Sequence, residues 1–147
     1  MFISQSELFK GLDKDFVRKL MEISKKESYR KGTFLFLEGD PADHFFVILK
    51  GHIKLIAGSS RLNVFESRQA GDAFGWSGLV NRREYSTACE CVEDTSLVRF
   101  AIEDIRQITE SDPAGGMEFF RMLAGMLGGR LIQLYGKMDA LADGNSG

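Results

Sequence analysis

The chain has 147 residues, one domain's worth at the usual ~100–200 residues per domain, and a globule of this size buries about 68–70% of its unfolded surface without metal or disulfide staples. Its 44% hydrophobic and 27% charged residues exclude a natively disordered chain. Nineteen basic against 21 acidic side chains leave a net charge of −2, which argues against a broad electrostatic footprint for nucleic acid or an anionic membrane.

In chain order, the amino terminus MFISQSELFKGLDKDF has neither a basic start nor an apolar stretch of about 7–15 residues, and no run approaches ~18 apolar residues. No export signal or membrane span is read, and the expected address is the cytoplasm. The first 27 residues read as helical. Ser6 or Ser4 caps a short Glu7-Leu8-Phe9 turn, Gly11 separates the two pieces, and Asp13 caps a second helix with Phe16, Val17, Leu20, Met21 and Ile23 on one side. Lys25, Lys26, Arg30 and Lys31 around Glu27 read as a solvated charged face.

From Tyr29 to Ala101 the punctuation changes to short strands divided by Gly, Asp and Ser clusters. Sixteen glycines against two prolines, with 12 phenylalanines, fit tight turns around an aromatic core, the composition of an antiparallel barrel or sandwich. The expected strands are Thr33 to Leu37, Phe45 to Leu49, His52 to Ala57, Leu62 to Glu66, Ser86 to Val92 and Ser96 to Ala101. Gly75 to Asn81 breaks the alternation and reads as a glycine-rich turn opening one or two helical turns, whose outward N–H groups can hold an anion.

Cys89 and Cys91 share one face of a strand and read as buried small apolar residues, with a redox pair or half a metal site as the alternative. His44 and His52 read as surface residues; a third histidine and zinc-type spacing are both absent, so no metal site is assigned. The carboxylates are scattered and no nucleophile, base and orienting group come together in the pattern, so no catalytic residue is assigned and the chain is not expected to be an enzyme.

Beyond Ala101, Ile105 and Ile108 mark a short helix that frays over Thr109 to Asp112, and Asp112-Pro113 then supplies a cap with proline at the first helical position. In the long helix that follows, Met117, Phe120, Ala124, Leu127, Leu131, Leu134, Met138 and Leu141 step by three and four. A seam this narrow needs a partner helix, and a second copy of the chain is the expected one. Phe119, Leu123 and Met126 form a second apolar side that can lie against the β domain while the seam faces the partner. Gly125, Gly128, Gly129 and Gly136 each weaken the helix by about 1 kcal/mol relative to alanine, so close backbone approach is expected to compensate. The expected division is a β domain with its N-terminal helices over residues 1–112, a dimerisation helix over 113–143, and a tail over 144–147.

The order of elements, with Leu8-Phe9-Lys10-Gly11-Leu12, EGDPADHFFVILKGHIKLI (Glu38 to Ile56), AGDAFGWSGL (Ala70 to Leu79), Ser86-Thr87-Ala88 and the long terminal helix, resembles the cyclic nucleotide-binding domain family. The likeness is to the sensor half of Crp/Fnr-type bacterial regulators and covers nearly the whole chain. It implies a mainly β fold with flanking α: an antiparallel β-roll of the double-stranded β-helix or jelly-roll kind, with N-terminal helices and a long C-terminal dimerisation helix.

The family's phosphate-binding cassette is typically Phe-Gly-Glu-Leu followed about ten residues on by Arg-Ser/Thr-Ala. There the arginine and cassette amides take the cyclic phosphate, while the glutamate accepts from the ribose 2′-hydroxyl. Laid on this motif, Phe74 and Gly75 match, Trp76 stands for the glutamate, Ser77, Gly78 and Leu79 follow, and Ser86 stands for the arginine before Thr87 and Ala88. The resemblance also brings Tyr85 and, from the helix, Leu134 and Tyr135 to the ligand. Both charged ligand contacts are therefore missing. Losing the arginine contact alone, at roughly 1.5–3 kcal/mol, weakens phosphate binding about ten- to a hundredfold unless Arg82 or Arg83 folds back to replace it. Trp76 is either a stacking platform or a packing plug, and its indole can only donate. The hydroxyls of Tyr85, Ser86 and Thr87 serve either a ligand or the turn backbone.

The expected protein is thus a homodimeric, cytoplasmic, signal-transducing regulator module that takes a cyclic nucleotide or other small anionic ligand in a non-standard way, or none, and reports through its helix to a protein partner. A ligand-free adaptor and a haem or apolar-ligand sensor are the alternatives. Only six residues follow Leu141, whereas a helix-turn-helix needs another ~60–80, so neither direct nucleic-acid binding nor membrane contact is expected of this chain.

Overall fold

In the computed structural model, residues 8–145 are described; Ser4, Ser6 and Glu7 of the expected first turn lie outside them. Leu8 and Phe9 are buried in a turn closed by Leu12 N–H donating to the Phe9 carbonyl at 3.1 Å. Helix α1, Lys14–Ile23, starts where Asp13 accepts from the Asp15 amide at 3.1 Å and ends where the Ser24 hydroxyl donates to Met21 O at 2.7 Å. Phe16, Val17 and Leu20 are buried and Ile23 packs beside them, but Met21, expected on that side, is 41% exposed because it lies about 100° around the helix from Leu20.

Eight antiparallel strands follow: β1 (Lys25–Tyr29), β2 (Phe34–Phe36), β3 (His44–Lys50), β4 (Ile53–Ala57), β5 (Leu62–Ser67), β6 (Ala73–Phe74), β7 (Ala88–Cys91) and β8 (Thr95–Ala101). They form two four-stranded sheets, ordered β1-β8-β3-β6 and β2-β7-β4-β5. This is the expected β-roll. Two strands depart from the expected six: the two-residue β6, and β1, where the sequence suggests the end of a helical stretch and a solvated face. Strand β1 lies at an edge on β8, with Lys25 opposite Arg99 and Tyr29 opposite Thr95. Five mostly polar residues carry little strand signal of their own. The strand is made by its neighbour: Glu27 meets Arg99 at 2.9 Å, and the Tyr29 hydroxyl donates to Glu27.

Side-chain alternation on β3 and β8 divides the interior into two cores. Phe45, Val47, Val98 and Phe100 face α1 and the helices that follow β8, joining Phe9, Phe16, Leu20, Ile105, Phe119 and Leu123. Phe46, Ile48 and Leu97 face into the roll with Phe36, Leu55, Phe74, Tyr85, Cys89 and Cys91. Strand β3 is buried on both faces, which is why FFVIL reads as an unbroken apolar run.

Helix α2, Ile102–Ser111, is longer than the fraying pattern suggests, and α3, Pro113–Asn145, runs two residues past the expected end at Asp143. The Asp112 carboxylate accepts from the Gly115 amide at 3.0 Å, the cap expected before Pro113. At 1.5 Å per residue α3 is about 50 Å long. Its first half is held against the roll, where Phe119 and Leu123 are 0% and 1% exposed, while beyond Arg130 Met138 and Leu141 are 66% and 64% exposed. Within the single chain, close backbone approach falls at the start of α3. A Cβ on Gly125, Gly128, Gly129 or Gly136 would meet nothing within 4 Å, whereas one on Gly115 would come 2.5 Å from the Phe16 ring and one on Gly116 would come 2.9 Å from Thr109 Cβ.

Candidate functional site

The segment after β6 is shaped by two glycines. Gly75 has φ +76° and a Cβ there would lie 2.9 Å from the Phe46 ring; at Gly78 a Cβ would collide with the Ala42 carbonyl and sit 2.9 Å from Ile102. Between Gly75 and Val80 the chain makes the expected short helical stretch, as one four-residue 3₁₀ turn, Ser77–Val80. Ser77, Gly78 and Leu79 are buried in it. Trp76 packs half-buried on the helix-side core, so its ring joins the layer beneath α1 and α3.

Tyr85 and Phe74 face into the roll, where the aromatic rings form a continuous column. Tyr85 stacks on Phe36 at 3.7 Å, Phe36 on Phe46 at 5.9 Å, and Phe46 on Phe74 at 5.1 Å. The Tyr85 hydroxyl donates to the His44 carbonyl at 2.6 Å and accepts from the His44 amide at 3.1 Å. Burial pushes its pKa up to about 12, against the opposing pull of the bond from the His44 amide. Tyr85→Phe leaves both His44 groups without this partner in a partly buried place. Urea unfolding is expected to show a loss of about 1–3 kcal/mol, and an unchanged midpoint would contradict the locking role.

Ser86 is exposed, Thr87 half-buried, and Ala88 pairs with Ile56 as β7 begins. Arg82 and Arg83 are exposed and border a 500 Å³ cavity with Asp43, His44, Glu103 and Arg106. On α3, Leu134 is half-buried and Tyr135 is 57% exposed. Gly78 shares the cavity of the two arginines, and Phe74 shares the aromatic column with Tyr85.

A larger cavity of about 940 Å³ opens between β5, the turn into β6 and the middle of α3, ending at Gln133, just before Leu134. Phe65, Gln69, Asp72 and Ala73 form one wall and Met122, Gly125, Met126, Gly129 and Arg130 the other. The Ser67 hydroxyl holds Asp72 at 2.6 Å and accepts from the Gln69 amide at 2.9 Å, fixing the turn. Arg130 reaches across with its guanidinium carbon 4.0 Å above the Phe65 ring and Nη2 donating to the Ala73 carbonyl. Burial lowers its pKa to about 10, partly offset by the charge of Asp72. The sequence reading passes over this residue; a lone arginine after the glycine pair Gly128-Gly129 is the signal that was there to be used.

His52 is 6% exposed rather than at the surface. Its Nδ1 accepts from Arg68 Nε at 3.2 Å, so Nε2 carries the proton that reaches Glu66 at 2.8 Å. That bond holds the Glu66 carboxyl below the usual carboxylate range. Cys89 and Cys91 are both fully buried, and desolvation raises both thiol pKa values. Among the described residues no group of three or more His, Cys, Asp or Glu side chains is placed to hold a metal ion, and no helix is long and apolar enough to cross a membrane.

Comparison with known proteins agrees with this geometry. Glutaminase 1 of Bradyrhizobium diazoefficiens is 28% identical over 143 residues, covering 95% of this chain, and the chain spans only 22% of that protein's length. A cyclic nucleotide-binding domain from Methylobacillus flagellatus superposes with a TM-score of 0.79 at 20% identity, over 92% of this chain and 77% of that one. The Catabolite Activator Protein of Thermus thermophilus does so with 0.73 at 24% identity, over 93% and 63%. Both share the fold. The cyclic nucleotide-binding domain profile matches residues 26–112, the β-roll apart from Lys25, and α2. With its two-sheet roll, its glycine-shaped turn after β6 and its long terminal helix, the chain belongs to the cyclic nucleotide-binding domain family and has the fold of that family's Crp-type regulators.

Proposed function

We propose that this domain is a cytoplasmic ligand-sensing regulatory module, without catalysis of its own, whose α3 pairs in parallel with that of a second copy and passes a ligand-driven shift to a protein partner. The observation that carries the reading is the two-sided α3. Phe119 and Leu123 seal one side onto the helix-side core, while Met117, Leu131, Met138 and Leu141 stand exposed along the other. A helix so fastened at one end and apolar along its free face changes its pairing when its seat on the roll changes, which gives a ligand two states to discriminate.

Cyclic AMP and cyclic GMP bind weakly or not at all in this reading. Trp76 packs on the helix-side core where a carboxylate would meet ribose, and Ser86 brings no charge to a phosphate. Titration calorimetry with cyclic AMP is expected to give a dissociation constant weaker than micromolar. Ser86→Arg is expected to tighten it by about ten- to a hundredfold, the worth of one charged hydrogen bond. Micromolar or tighter binding by the unaltered protein sinks this part of the reading.

The Tyr85–Phe36–Phe46–Phe74 column favours a second reading, a rigid dimeric adaptor whose roll is packed shut. A thermal-shift panel of nucleotides and small anions separates the two: a rise in Tm with any of them supports the sensor.

A further inference from the structure

We infer that the cavity between β5 and α3 is an anion site with Arg130 as its receptor, taking a small organic anion whose charged oxygens meet the guanidinium and whose apolar body lies on Met122, Met126 and Phe65. The inference rests on the ligand-sensing reading and names the ligand's class. Three arginines line this space, and two are engaged elsewhere: Arg68 donates to His52 at 3.2 Å and meets Glu93 at 3.6 Å, and Arg121 meets Glu118 at 3.3 Å. Arg130 is different. Its Nη2 has the Ala73 carbonyl, while its Nη1 is buried without a hydrogen-bond partner among the described residues.

A buried guanidinium N–H is costly to leave unpaired, and the nearest acid in charge terms, Asp72, is itself held by Ser67. An anion in the cavity supplies the missing acceptor and counter-charge together. Room for it exists because α3 carries Gly125 and Gly129 on this wall, each with nothing within 4 Å of where a Cβ would be. At about 940 Å³ the space suits a molecule larger than a bare ion. Since Arg130 sits on α3 and its partners Phe65 and Ala73 on the roll, the anion bears on the joint between them.

The test is an NMR titration of the full chain with inorganic phosphate and, separately, acetate, following the Arg130 side-chain Nε–H signal and the amides of Gln69 and Ala73. Phosphate is expected to shift all three saturably; acetate acting alone would make the charged group a carboxylate and not a phosphate. Arg130→Gln is expected to weaken the amide response at least about tenfold, and Lys137→Gln, an exposed charge further along α3, to leave it unchanged. Gly129→Leu fills the cavity with a better helix former, so it is expected to abolish the response with Tm held or raised. Signals unmoved by both anions, or unaltered binding in Arg130→Gln and Gly129→Leu, would overturn the inference. A response lost in Arg82→Gln but kept in Arg130→Gln overturns the Arg130 site and leaves ligand sensing standing. A normal Arg130 response in a protein that light scattering finds monomeric removes the helix relay and leaves the anion site standing.

Discussion

Phe119→Ala is expected to cost about 3–5 kcal/mol of folding free energy. The ring is fully buried where three segments meet: 6.4 Å from Phe9 and stacked on it, 6.0 Å from Phe16 of α1, and 5.4 Å edge-on to its neighbour Phe120. Aromatic contacts of this kind add about 0.5–1.5 kcal/mol to the area term. At Gly115 and Gly116 the α3 backbone already lies against the Phe16 ring of α1 and against Thr109 of α2, which leaves little room for a shift of α3 to fill the gap. Against a typical total of about 5–15 kcal/mol, the loss leaves a marginal domain. Urea unfolding followed by circular dichroism measures it, and a change below about 1 kcal/mol would mean that α3 is not seated by this ring.

The second large effect concerns the free face of α3. In the proposed dimer, Leu131→Glu combined with Met138→Glu is expected to give a monomer at concentrations where the unaltered chain is a dimer. Burying each of these side chains contributes about 1.5–3 kcal/mol, and two-fold symmetry doubles every substitution, so the pair removes about 6–12 kcal/mol of association free energy before any charge repulsion is counted. Both residues are exposed in the single chain, at 48% and 66%, so the folded monomer is expected to keep its urea midpoint. Light scattering reads the mass. A variant that remains at twice the chain mass, or an unaltered chain already monomeric at micromolar concentration, defeats the seam argument.

The two effects separate the two sides of one helix, and the sequence distinguishes them by periodicity alone. Phe119, Leu123 and Met126 repeat on a different side from Met117, Leu131 and Met138, and the structure packs all three against the helix-side core, together with Leu127 of the seam. Strands with strong local character were equally legible. Phe45 to Leu49 lies within His44–Lys50, and Leu62 to Glu66 within Leu62–Ser67. What escaped was assembled from distant partners. Lys25–Tyr29 is a strand because β8 offers it an edge, and His52 is buried because Glu66 and Arg68, 14 and 16 residues away, satisfy its ring. Neither neighbour is visible in a local window.

The candidate site divides in the same way. That the turn after β6 needs glycine at two places, and that it lacks a glutamate and an arginine at the family's ligand positions, is written in residues 74–88 and needs no coordinates. Chain identity determines which charges exist. The tertiary structure alone decided which of them are taken out of water: Arg130, 57 residues from the carbonyl it reaches, became a half-buried cation with its Nη1 shut away from solvent only when α3 was laid across β5 and β6. Periodicity and turn chemistry are local and survive in one dimension, whereas desolvation depends on everything packed around a group, and so the unpaired guanidinium and its cavity emerge only from the folded chain.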